Sequence, residues 1–77
     1  MDLRQVFAAN LHRLRHAKGL SQEDLAYEAD VNRSYMSTLE RGATYPGLDI
    51  IGKLTGVLRV EPAELLRLPA KRRARGR

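Results

Sequence analysis

Apolar residues recur at helical spacing along most of this chain, and capping residues separate one run from the next. Leu3, Phe7, Leu11 and Leu14 form a first stripe, with Asp2 and Gln5 spaced as a capping box and Gly19 as a stop. Ser21 and Asp24 open a second helix whose inner face is Leu25, Ala26 and Ala29. Asn32 is placed to cap a third, with Val31 and Met36 as a hydrophobic staple, Leu39 on the same face and Gly42 closing it. After the loop ATYP, a fourth helix starts near Gly47 and carries the stripe Leu48, Ile51, Leu54 and Leu58. Gly52 and Gly56 lie inside it, either to permit close helix contact or as weak points costing about 1 kcal/mol each relative to Ala. Glu61-Pro62 begins a short fifth helix with Leu65, Leu66 and Leu68. No segment alternates as a half-buried strand would, and no repeat occurs, so the pattern predicts an all-α, compact five-helix bundle.

Composition narrows the class. Seventy-seven residues make one domain with a small core, and a core of that size gains from dimerisation. The lack of cysteine excludes disulfides and thiolate metal sites and fits a cytoplasmic location. No apolar run approaches the roughly 18 residues of a membrane span, and MDLRQVF does not resemble a signal peptide. The net charge of +5 is unevenly placed. Five of the fourteen basic residues fall at Lys71, Arg72, Arg73, Arg75 and Arg77, leaving nine basic against nine acidic in residues 1–70. The expected organisation is a folded domain over 1–68 and a basic, disordered tail over 69–77. Bulk charge therefore does not identify the folded part's partner.

The third helix offers a chemical signal. With Met36 at the centre of its inner face, Leu39, Glu40 and Asn32 fall on the same side at about 100° per residue. Ser34, Ser37, Thr38 and Arg41 fall opposite, with Arg33 at the N-terminal flank and Tyr35 on the other edge. That outer face has short donors and acceptors, two guanidinium groups and no acid. On composition alone an ordinary solvated surface explains it as well. A helix also fits the DNA major groove, where Arg bonds a guanine edge twice and Ser, Thr or Asn meet other edges. Gln22, at the start of the preceding helix, lies where free amides favour a phosphate oxygen. One helix over the backbone and the next in the groove is helix-turn-helix docking.

The run L-S-Q-E-D-L-A-x(5)-N-R-S-Y-M-S-x-L-E-R-G, followed by P-G-L-D-I-I-x-K-L and V-E-P-A-E-L-L, resembles Cro/repressor-type helix-turn-helix proteins, the XRE family. The resemblance covers residues 3 to about 68 and is nearest to stand-alone regulators such as restriction–modification controller proteins. It implies a lambda-repressor-like domain that binds operator DNA as a homodimer and regulates transcription. By position it implies that Gln22 contacts phosphate, that Asn32 starts the recognition helix, and that Arg33, Ser34 and Thr38 read bases. Tyr35 and Ser37 flank these, while Arg41 and Thr44 meet the backbone. Arg33 alone offers a bidentate fork, worth about 1–3 kcal/mol of discrimination. The chain departs from the family where glycine is usual, with Asp30 in the turn and Arg59 after the fourth helix. Asp accepts a left-handed conformation better than most residues.

Glu40 falls on the inner face, where an unpaired carboxylate is costly; Arg15 lies at the edge of the first stripe, and the family resemblance implies its pairing with this glutamate. His12 and His16 have the spacing of two metal ligands, but no Cys or third His joins them, so no metal or other cofactor is expected. Neither a nucleophile nor a phosphate loop points to an enzyme. Val60, Leu65, Leu66 and Leu68 concentrate apolar surface at the C-terminal end. Part of it covers the core, and the remainder is the expected homodimer interface. The partners expected are double-stranded DNA and a second copy, with no membrane. An antitoxin-like module that also binds a partner protein is the alternative, and nothing in the residues assigns a contact with RNA polymerase or a toxin.

Overall fold

A computed structural model describes residues 2–69. Five helices follow in order: α1 (Leu3–Ala17), α2 (Gln22–Glu28), α3 (Arg33–Glu40), α4 (Leu48–Leu58) and α5 (Pro62–Leu65). The expected basic tail lies, from residue 70 onward, outside the described residues. No described helix is long and apolar enough to cross a membrane.

One chain-reversal device recurs at the ends of the first four helices. Gly19, Asp30, Gly42 and Arg59 all have positive φ, between 57° and 72°. The residue after each donates its amide back into the last turn: Leu20 to Arg15, Val31 to Ala26, Ala43 to Thr38, Val60 to Thr55. This satisfies carbonyls that the helix end would otherwise leave open. Two of the four positions are not glycine, and they are the two family departures, Asp30 (φ 57°) and Arg59 (φ 59°).

The N-termini are set by side chains. Ser21 Oγ accepts from the Asp24 amide at 2.9 Å while Asp24 Oδ2 accepts from the Ser21 amide at 3.3 Å, a complete capping box. Asn32 Oδ1 accepts from the Tyr35 amide at 3.2 Å. At α1 the box expected from Asp2 and Gln5 does not form. Asp2 instead accepts from the Arg4 amide (2.9 Å) and guanidinium, and the Gln5 amide reaches the Gly42 carbonyl at 3.4 Å.

Phe7, Leu11, Leu25, Met36, Leu39, Leu54, Leu58 and Leu65 are fully enclosed and form one core. α1 packs across α3 and α5, α2 lies against α3 and α4, and α4 meets α5. Buried Asn10 locks the end of α5 to α1, donating from Nδ2 to the carbonyls of Leu65 (3.0 Å) and Arg67 (2.8 Å).

Three sequence expectations are corrected. Leu48 is 86% exposed, because it sits about 120° around α4 from Leu54, and Ile50 packs inward in its place. Leu3 is likewise exposed, so the α1 stripe is buried only from Phe7. Leu65 has no accessible surface and belongs to the core, which removes it from any interface with a second copy. Val60 also packs partly on the core, while Leu66 and Leu68 remain 44% and 52% exposed. The open question over Gly52 and Gly56 is resolved within the chain: a Cβ at either would meet nothing within 4 Å.

Candidate nucleic-acid interface

The angle between α2 and α3 is fixed from inside. Leu25, Ala26 and Ala29 of the first helix and its C-cap bury against Met36 and Leu39 of the second, and Val31 packs at the turn. Packing the inner faces leaves the polar side of α3 open. There Gln22, Arg33, Ser34, Ser37, Thr38 and Arg41 line one groove of about 430 Å³, with no acidic group among them.

Six of the nine residues expected to meet DNA are thus brought together. Asn32 is exposed beside them, but its side-chain oxygen is engaged in the cap. Tyr35 is half-buried against the core, and Thr44 is half-buried in the loop after α3. Within the groove the side chains differ in what they can offer. Arg33 is exposed, with no side-chain hydrogen bond or ion pair among the described residues, so its whole donor fork is available. Thr38 Oγ1 donates to the Ser34 carbonyl at 2.9 Å, so its hydroxyl hydrogen is engaged and only its oxygen lone pairs remain as acceptors. Arg41 Nη1 donates to Ser37 Oγ at 3.3 Å, one turn earlier.

Behind the groove stands Glu40, whose side chain is only 3% exposed. Arg15 grips it twice, Nε to Oε2 at 2.6 Å and Nη2 to Oε1 at 3.1 Å. Arg15 Nη1 also donates to the Leu20 carbonyl at 2.7 Å, so one guanidinium joins α1, the α1–α2 turn and α3. His12 Nδ1 and Gln22 Nε2 each lie 3.3 Å from Glu40 Oε1. Burial would push this carboxyl up, but hydrogen bonds from Arg15, His12 and Gln22, with the Arg15 charge, hold it below the usual carboxylate range.

Sequence reasoning missed the His12 and Gln22 bonds to Glu40 and the role of Asn10. For His12 a signal existed: it lies three residues before Arg15 and so shares its side of α1. The His12 and His16 rings lie with centroids 4.3 Å apart, and among the described residues no three metal-ligating groups converge.

Two packed helices at a tight turn, the second with an open polar side, define a helix-turn-helix protein of the DNA-binding, transcription-regulating class. The chain belongs to this family: the helix-turn-helix domain model matches residues 6–68. It is 39% identical over 66 residues to the control protein C.BamHI of Bacillus amyloliquefaciens, spanning 84% of this chain and 82% of that protein. The crystal structure of the restriction-modification controller protein C.AhdI from Aeromonas hydrophila superposes with a TM-score of 0.77 at 45% identity, covering 80% of this chain and 94% of that one. A hypothetical transcription factor from Neisseria superposes with a TM-score of 0.84 at 40% identity, over 88% and 78% of the two chains.

Proposed function

We propose that this chain is a sequence-specific regulator of transcription that occupies an inverted-repeat operator as a homodimer and acts in the cytoplasm. Support comes chiefly from the acid-free groove along α3, where Arg33 offers an unengaged fork beside Ser34, Ser37 and Thr38. Arg33 discriminates a guanine through two hydrogen bonds, Thr38 meets a thymine methyl, and Gln22, Arg41 and Thr44 hold phosphates. Asn32 and Tyr35 shape the start of the recognition helix.

The second copy docks through the C-terminal end. Leu66 and Leu68 are apolar and exposed there. Leu68 also borders a groove of about 680 Å³ between α1 and residues 67–69, with Val6 and Ala9 on its floor. Covering them by a two-fold partner sets two recognition helices about 34 Å apart, one turn of DNA. The likeness to C.BamHI and C.AhdI, over at least four-fifths of each chain, supports a controller's role in a restriction–modification system. A methyltransferase or endonuclease gene beside this one is the expected context.

Competition against random duplex, with sedimentation of the complex, tests this reading. Two chains per duplex and strong preference for a selected site are expected. A monomer with and without DNA at high micromolar concentration, or indifference to sequence, would overturn it.

A further inference from the structure

Among the groove residues, Gln22 alone hydrogen-bonds to the buried ion pair behind the groove. Its side chain has three rotatable bonds before the amide, and an unrestrained amide must be ordered each time it binds. Here the order is already imposed. Gln22 Nε2 donates to Glu40 Oε1 at 3.3 Å, and that oxygen is itself held by Arg15 Nη2 at 3.1 Å and faced by His12 Nδ1 at 3.3 Å. A primary amide has two N–H bonds, so one on the carboxylate leaves the other for a second acceptor. Turning the amide over would set its oxygen against the carboxylate and lose a charge-assisted bond, so the orientation is held. Because Arg15 neutralises Glu40 at 2.6 Å, an approaching phosphate meets the N–H without a net negative charge behind it.

We propose that Glu40 is a positioning residue for DNA binding, its buried carboxylate holding the Gln22 amide with one N–H directed to a backbone phosphate. Arg15 acts with it, since the same guanidinium binds the Leu20 carbonyl immediately before the α2 cap at Ser21. The ion pair therefore fixes both where α2 begins and how its first side chain is presented. The inference rests on the reading of α2 and α3 as the DNA-contacting pair.

The test is a phosphate scan. The full chain is bound to a duplex enriched by selection, with single phosphates replaced in turn by uncharged methylphosphonate. For the wild type, one symmetric pair of phosphates should show a loss of about tenfold that disappears in Gln22→Ala. In Glu40→Gln the acceptor is replaced: Oε2 serves Arg15 at the shorter distance, and an NH2 group stands against the Gln22 donor. The penalty at that phosphate should fall to about threefold or less, while penalties at other phosphates stay within about twofold of wild type. A purely structural role for Glu40 would weaken all phosphates alike. An undiminished penalty at the Gln22 phosphate would overturn the inference. If Glu40→Gln does not fold, Glu40→Asp replaces it, since its carboxylate keeps the charge for Arg15 but ends one methylene short of Gln22. The same shrinkage is expected, and a full penalty overturns the inference. If Gln22→Ala itself keeps every penalty, the phosphate role of Gln22 falls and the inference with it. Sequence preference through α3 would then still stand or fall by selection alone.

Discussion

Arg15 on α1 and Glu40 at the end of α3 meet as a two-pronged ion pair, at 2.6 and 3.1 Å, with both side chains withdrawn from water. The pair ties α3 to α1, the longest helix among the described residues. Removing Arg15, or the charge of Glu40, leaves the other's buried charge without its counter-charge, so Arg15→Ala should destabilise by about 3–5 kcal/mol and Glu40→Gln, which keeps one acceptor for Arg15, by less. In a domain of this size each kilocalorie lowers the melting temperature by about 4–8 °C. Denaturation of either variant at the wild-type midpoint would mean that the pair contributes nothing.

The same carboxyl makes stability depend on acid. Glu40 titrates below its ordinary value of 4.5 in the folded protein, so the unfolded chain takes up its proton first as pH falls. Its contribution is complete above the ordinary carboxylate range and is lost as pH falls through the folded value. Half-buried Asp2, held low by its hydrogen bond from the Arg4 side chain, acts in the same direction. Urea titrations from neutrality downward should show a steeper loss for the wild type than for Glu40→Gln. Parallel curves would remove Glu40 as the source.

Arg59 closes α4 in a left-handed conformation that an L side chain enters at a cost of about 1–2 kcal/mol. Arg59→Gly should therefore raise stability, by about 0.5–1 kcal/mol once the more flexible unfolded chain is counted. Asp30→Gly at φ 57° should gain less, because Asp tolerates this region. An equal or larger gain at Asp30 would contradict this ordering.

Open space around Gly52 and Gly56 gives a separate expectation for α4. Ala at either position should stabilise by about 1 kcal/mol through helix propensity alone. A loss of stability that depends on protein concentration would instead place this face of α4 against a second copy.

Much of this fold was legible because its helix ends are written locally. Ser21 with Asp24, Asn32, and Pro62 after Glu61 act within a few residues of themselves, so reading them needs no third dimension. The α3 faces were legible for the same reason, Met36 and Leu39 fixing which side remains outward. Leu48 was misplaced because two successive three-residue steps, Leu48 to Ile51 to Leu54, each fall about 60° short of a full turn, and burial follows the real phase. Gln5 was misplaced because a distant carbonyl, at Gly42, took the amide that local spacing assigned to Asp2. Asn10 was invisible: its acceptors lie 55 and 57 residues away, and nothing in its neighbourhood marks them. At the site, Arg15 and Glu40 could be paired by inner-face position together with the family resemblance, whereas Gln22 joins them only through the crossing of α2 over α3.

Selection from a random duplex library, run in parallel with the wild type and Arg33→Ala, tests most directly whether α3 reads base pairs. The wild type should enrich an inverted repeat, and the variant should lose preference at one symmetric pair of bases while keeping the rest, a change of about 1–3 kcal/mol at that pair. A uniform loss of affinity across all sequences would contradict base reading by Arg33 and leave it a phosphate contact.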